Sequence, residues 1–158
     1  MIERTTRPTT FVIERTYGCA PATLFEAWAD PAVKARWFTA PSEKWRERER
    51  KLDFRKGGRE LLRGAWEGGP VTTFSALYNQ IVPDKRLVYT YEMYQDDALI
   101  SVSLVTVSFA PDADGTLLQY TEQGVYLDSF DDVAGRETGI AGHLDRLRAV
   151  LEQASQAG

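Results

Sequence analysis

Apolar residues at helical spacing dominate the last quarter of the chain. They recur at intervals of seven, four, three and four positions, at Val133, Ile140, Leu144, Leu147 and Leu151. This spacing places them on one stripe of a helix. Ser129 followed by Asp132 resembles a capping signal. The pattern therefore predicts a long amphipathic helix over about 129–154.

The first half of this helix has unusual residues. It contains Gly135, Gly139 and Gly142, each of which costs roughly 1 kcal/mol relative to alanine in a helix. Glu137 falls in the interval between Val133 and Ile140, on the stripe itself. A poor helix start, or close packing against a neighbour, would explain these residues. The alternative, which we carry forward, is that the C-terminal half closes the core while the N-terminal half borders a cavity.

Upstream, seven segments show strand patterning and are separated by turn signals such as Gly68-Gly69-Pro70. They span 9–17, 44–54, 59–67, 71–82, 86–94, 98–110 and 116–126. Segment 44–54 carries charges on both faces, as expected of an exposed edge strand. Two short helices, 22–30 and one beginning at Pro31, follow the first strand. The order predicts an α+β fold, with a curved antiparallel sheet wrapped around the long C-terminal helix.

Composition narrows the protein class. With 158 residues, we expect a single domain over 1–158 with its core at about 10–155. The net charge of −4 argues against nucleic acid or an anionic membrane as the main partner. No apolar run approaches the ~20 residues of a membrane span, and the N-terminus lacks a signal-peptide core. Cys19 is the only cysteine, which fits a reducing cytoplasm. A homodimer is left open.

Four motifs, in order, resemble those of a known family. They are 19–31 (CAPATLFEAWADP) with Arg36-Trp37-Phe38, 52–58 (LDFRKGG), 82–91 (VPDKRLVYTY), and Gly115-Thr116 with 139–147 (GIAGHLDRL). Over about residues 10–153, the chain resembles the heat-shock protein 90 ATPase-activator homologue family of the START-like, helix-grip superfamily. The resemblance implies a helix-grip fold with a deep, largely apolar cavity between the sheet and the long helix. Two departures are Ile140, where many members have tryptophan, and Glu60, where an aromatic residue is common. The second suggests a more polar cavity.

Few residues offer catalytic chemistry. His143 is the only histidine, which excludes a multi-histidine metal site and favours a surface or boundary role. Cys19 has no base visible in the sequence, and we expect no metal and no cofactor. Strand parity places Glu122 on one face with Leu118 and Tyr120, and places Glu60 with Leu62 and Trp66. With Glu137 from the helix, these carboxylates could act as general acids or bases. Alternatively, each pairs with an arginine or reaches water.

Aromatic residues are the other candidates for a binding site. They are Trp37, Phe38, Trp66, Phe74, Tyr78, Tyr89, Tyr91 and Tyr120. Core packing accounts for most single rings, but a cavity lined by rings with a few hydroxyls and carboxylates is typical of a small-molecule site. We expect Ile140 to join them from the helix.

Three functions compete. The first is a protein that binds a small apolar or aromatic molecule between the sheet and the helix. The second is a cyclase- or hydrolase-like enzyme that uses a cavity carboxylate. The third, implied by the resemblance, is a co-chaperone that stimulates a heat-shock ATPase. We expect the third least, because the eukaryotic activators carry an additional N-terminal domain important for that activity and this chain has no room for one. An unpaired carboxylate in the cavity would distinguish the second from the first.

Overall fold

The computed structural model describes residues 3–40, 42–128, 130 and 132–157. Its strands are β1 (Thr6–Tyr17), β2 (Trp45–Leu52), β3 (Arg59–Trp66), β4 (Val71–Val82), β5 (Arg86–Gln95), β6 (Ala98–Asp112) and β7 (Gly115–Leu127). Its helices are α1 (Pro21–Ala29), α2 (Pro31–Trp37) and α3 (Val133–Ala157). This order confirms the predicted sequence of one strand, two short helices, six strands and one long helix.

The strands form one antiparallel sheet in the order β1-β7-β6-β5-β4-β3-β2. Neighbours from β2 to β7 are consecutive in sequence because tight turns join them, whereas β1 pairs with β7. The predicted edge strand is confirmed, since β2 has only β3 beside it. The α+β helix-grip fold, with a curved open sheet gripping the C-terminal helix, is confirmed as well.

Strand register arranges the inner-face side chains in rows across the sheet. One row runs from Tyr126 through Ser101, Met93 and Phe74 to Leu62. Because successive side chains point to opposite faces, the adjacent inner row lies two residues along each strand. That row contains Ser103, Tyr91, Ala76 and Glu60. The register therefore gathers rings and polar groups from distant parts of the sequence on one face.

The C-terminal half of α3 closes the core. Leu144 and Leu147 are buried among the rings of α1 and α2, including Trp28 and Trp37. The Tyr17 hydroxyl donates a hydrogen bond to the Leu144 carbonyl oxygen at 2.9 Å, which fixes β1 to the helix. This part of the apolar stripe behaves as its spacing predicts.

The observed start of α3 differs from the predicted one. The helix begins at Val133, and the Asp132 carboxylate accepts a hydrogen bond from the Gly135 backbone N–H at 2.9 Å. Asp132 therefore supplies the capping oxygen that an N-terminal turn requires. The predicted cap Ser129 lies outside the described residues. None of the described helices is long and apolar enough to cross a membrane.

Candidate functional site

A cavity of about 870 Å³ lies between the first half of α3 and the inner face of the sheet. Its volume falls in the range of about 300–1,000 Å³ that is typical of small-molecule sites. The helix contributes Gly139, Ile140 and His143, and the end of α2 contributes Phe38. Trp66 is 39% exposed and lies at the mouth. The N-terminal half of α3 thus contributes residues to the lining of this space.

Most of the predicted ligand-binding residues line this cavity. They are Phe38, Trp66, Phe74, Tyr89, Tyr91, Tyr120 and Ile140. The rings are in mutual contact, with Phe38 edge-on to Phe74 at 5.0 Å between centroids and Phe74 tilted against Tyr91 at 4.9 Å. The apolar wall is therefore continuous from α2 across β4 and β5.

Trp37, Tyr78 and Glu60 are also buried, but they lie behind this wall and do not line the main cavity. Trp37 packs edge-on against Trp28 at 4.8 Å, and its indole N–H donates to the Ala27 carbonyl. The Trp37 side chain has a core role in this arrangement. The expectation that it contacts the cavity directly does not match its position.

Glu60 belongs to a buried polar triangle. The Lys34 ammonium donates to Glu60 Oε1 at 2.6 Å and to the Tyr78 hydroxyl oxygen at 3.1 Å. Tyr78 in turn donates to Glu60 Oε1 at 2.6 Å. The Lys34 Nζ also lies 4.9 Å from the centroid of the Phe38 ring. Burial lowers the pKa of Lys34, and the Glu60 carboxylate opposes that shift. The charges of Lys34 and Glu60 are thus compensated by each other inside the protein.

Lys34 was not predicted from the sequence to lie beside the site. One alternative from the sequence was that Glu60 pairs with an arginine, whereas the structure pairs Glu60 with Lys34 of α2. A signal did exist, because Lys34 lies three residues before the buried Trp37 and therefore on the same helix face.

Glu122 is fully buried and is held by hydroxyl groups. Tyr91 and Ser103 donate to Oε2 at 2.7 and 3.0 Å, and Tyr120 donates to Oε1 at 2.7 Å. Arg136 Nη1 approaches Oε2 at 3.5 Å. The Glu122 side chain does not line the cavity, but two of its donors, Tyr91 and Tyr120, do. Glu122 therefore holds the Tyr91 and Tyr120 hydroxyls of the cavity wall in place through hydrogen bonds, without lining the cavity itself.

Arg136 lines the cavity but was not among the binding residues predicted from the sequence, and neither was Tyr126. Arg136 Nη1 donates to the Tyr91 hydroxyl oxygen and its Nη2 to Ser101 Oγ, each at 2.9 Å. Its guanidinium carbon lies 5.0 Å from the centre of the Tyr126 ring, and only 11% of its side chain is exposed. An arginine enters the apolar cavity because hydroxyls and a carboxylate receive its N–H groups.

Glu137 was predicted to lie on the apolar stripe of the helix, but it does not line the cavity. Its side chain is exposed and lies outside the cavity lining. A gap of seven between Val133 and Ile140 allows either residue 136 or residue 137 to complete the stripe, and the structure places Arg136 there. The signal was present, since 133, 136 and 140 are spaced by three and four. The expectation that Glu137 faces the cavity is wrong.

His143 lines the cavity floor beside Phe38, with ring centroids 5.0 Å apart. Its Nδ1 lies 2.6 Å from Arg146 Nη2. Burial, reinforced by the Arg146 charge, lowers the pKa of His143 to about 3. The imidazole is therefore neutral at physiological pH. In the described part of the chain, no group of three His, Cys, Asp or Glu residues could hold a metal ion.

Tyr126 completes the polar part of the wall. It lines the cavity and is 2% exposed. Among the described residues its hydroxyl has no hydrogen-bond partner. Burial raises the pKa of Tyr126 to about 12, although the charge of Arg136 opposes the rise. The hydroxyl therefore keeps its proton at neutral pH and can donate a hydrogen bond.

Comparison with known proteins agrees with this architecture. A family model described as "Activator of Hsp90 ATPase homolog 1-like protein" matches residues 19–152, most of the chain. The chain belongs to this family. The resemblance seen in its motifs is thereby confirmed. No curated protein matches it.

Several solved structures are similar to this chain over nearly their whole length. An uncharacterised protein from Rhizobium leguminosarum is 38% identical with a TM-score of 0.90, covering 96% of this chain and 99% of its own. Mll3558 from Rhizobium loti is 41% identical with a TM-score of 0.85, covering 92% and 99%. CV1439 from Chromobacterium violaceum is 25% identical with a TM-score of 0.74, covering 90% and 96%. The described chain thus shares its fold with these solved structures.

Proposed function

We propose that this protein binds a small apolar or aromatic molecule in the cavity between α3 and the sheet. The observation that carries the proposal is the combination of about 870 Å³ of space with a continuous wall of rings. A well-packed interior would leave few voids larger than a water molecule. The family supports a ligand-binding helix-grip fold at the general level.

The carboxylates favour binding over acid–base catalysis. Glu60 is paired with Lys34, and Glu122 accepts hydrogen bonds from Tyr91, Ser103 and Tyr120. Neither buried carboxylate is unpaired, and Glu137 is exposed. The enzyme alternative therefore has less support. Stimulation of a heat-shock ATPase rests on the family's name alone.

Apolar burial sets the expected affinity. Each buried CH₂ contributes about 0.8 kcal/mol, so ten carbons supply about 8 kcal/mol before ordering costs. That free energy corresponds to a dissociation constant of roughly 1 μM. We therefore expect micromolar or weaker binding unless polar groups contribute.

The test is titration with an apolar fluorescent dye, followed by competition with small aromatic compounds. We expect saturable binding with one molecule per chain. Gly139→Leu should weaken it at least tenfold, because a Cβ at Gly139 would point into open space in the cavity lining. Ala134→Leu is the matched control, since it adds a leucine to an exposed position of the same helix outside the lining. Absence of saturable binding, or equal loss in both variants, would refute the proposal.

A further inference from the structure

The part of the cavity wall near the start of α3 has a buried hydrogen-bond donor that the protein does not use. The Tyr126 hydroxyl is enclosed, yet no described residue forms a hydrogen bond with it. Buried hydroxyls are normally paired, and each exception calls for an explanation. Because the Tyr126 ring lines the cavity, a ligand oxygen that reaches the enclosed hydroxyl would supply the acceptor that the chain lacks.

Arg136 supplies further donors at the same place. Nη1 is engaged by Tyr91 and Glu122, and Nη2 by Ser101. A guanidinium carries five N–H donors. Its Nε has no acceptor in the described part of the chain. The guanidinium carbon is 5.0 Å from the Tyr126 ring centre, and both residues line the cavity.

Two carboxylates lie near this region, but hydrogen-bond donors still predominate in its lining. Glu122 is outside the cavity lining, and its shortest hydrogen bonds come from Tyr91 and Tyr120 at 2.7 Å, whereas Arg136 is 3.5 Å away. Asp132 also lines the cavity but is exposed, and its Oδ1 caps the Gly135 backbone N–H. The lining near Tyr126 thus presents hydroxyl and guanidinium donors with a single exposed carboxylate.

We propose that the ligand is an apolar or aromatic carboxylic acid whose carboxylate binds Arg136 and the Tyr126 hydroxyl. Its apolar body lies along the rings of Phe38 and Phe74. A carboxylate can accept both donors at once, and charge-assisted hydrogen bonds are about twice as strong as neutral ones. This inference rests on the proposed cavity binding and specifies its chemical class.

Three compounds with one apolar body provide the test: 3-phenylpropionate, 3-phenylpropionamide and propylbenzene, titrated calorimetrically at pH 7. We expect the acid to bind at least tenfold more tightly than the amide. If the amide or the hydrocarbon binds as tightly as the acid, the inference is wrong while cavity binding stands. If neither these compounds nor the apolar dye binds, both the inference and the proposed function fail.

Two variants test the anchors without disturbing the fold. Tyr126→Phe removes a hydroxyl that has no described partner, so thermal stability should be retained. Affinity for the acid should fall about fivefold, while affinity for propylbenzene is unchanged. Tyr94→Phe is the control, because the Tyr94 hydroxyl donates to Glu92 and its ring is outside the cavity lining. An unchanged acid affinity in Tyr126→Phe would overturn the assignment.

Asp132→Asn gives a test of opposite sign. Asparagine caps helices about as well as aspartate, so α3 should be preserved. Removing a negative charge from the cavity lining should strengthen acid binding two- to threefold, with little effect on the amide. Equal changes for the acid and the amide would show that the ligand's charge is not recognised.

Arg136→Gln should abolish the preference for the acid over the amide.

Discussion

The Lys34 ammonium and the Glu60 carboxylate lie 2.6 Å apart behind the aromatic wall of the cavity, and only 4% of each side chain is exposed. Two opposite charges here are taken out of water together. Removing one partner leaves the other buried and uncompensated, which typically costs about 3–5 kcal/mol. The pair therefore ties α2 to β3 behind the aromatic wall of the cavity.

A double-mutant cycle measures this coupling. Glu60→Gln and Lys34→Met should each lower the free energy of unfolding by about 3 kcal/mol or more, since each leaves one buried polar partner unmatched. The double variant should lose much less than the sum of the two. Urea unfolding of the four proteins gives the coupling energy. Additive losses would show that the two side chains do not stabilise one another.

The Tyr120 hydroxyl should matter more for stability than that of Tyr126. Tyr120→Phe removes the hydrogen bond to Oε1 of the fully buried Glu122. An unsatisfied buried group of this kind costs about 1–3 kcal/mol. Thermal or urea unfolding of the Tyr120→Phe and Tyr126→Phe proteins makes the comparison. Equal stability of the two would contradict the hydrogen-bond assignment around Glu122.

Two glycines should respond oppositely to alanine. At Gly139 a Cβ would meet nothing within 4 Å, so Gly139→Ala should stabilise the protein by up to about 1 kcal/mol through helix propensity. At Gly124 a Cβ would lie 2.7 Å from Ser103 Oγ and 2.9 Å from the Val102 carbonyl oxygen. Gly124→Ala should therefore destabilise β7. Shifts of the same sign in urea midpoint would refute this contrast.

Acid should destabilise the protein partly through His143. Its pKa is about 3 in the folded chain, because of burial and the nearby Arg146, Lys34 and Arg50, against 6.5 ordinarily. The unfolded chain therefore binds the proton first, and folding free energy is lost as the pH falls through 6.5 towards 3.

Between pH 6.5 and 5 this one group should cost up to about 1.5 kcal/mol. His143→Gln should remove that portion of the pH dependence, whatever its own effect on stability at pH 7. Urea unfolding of both proteins at several pH values is the measurement, since other titrating groups cancel in the difference. Parallel stability curves would show that the imidazole is not held neutral by its surroundings.

The sequence by itself determined the elements and their order. Period-two patterning and turn residues marked the strands, helical spacing marked α3, and the motifs led to the family. These signals are local, so they are readable without knowing which residues meet. The same holds for the glycines of α3, whose weak helix propensity pointed to a cavity beside Gly139.

The tertiary structure decided which polar groups meet and which side of the helix start faces inward. The seven-residue gap before Ile140 is compatible with position 136 or 137, and only packing against Tyr91 and Ser101 selects Arg136. Lys34 and Glu60 are 26 positions apart, and Tyr91 and Glu122 are 31 apart. Their pairing depends on helix placement and strand register, which are set by the whole sheet. Sequence spacing therefore identified the rings of the cavity, whereas its charges required the assembled fold.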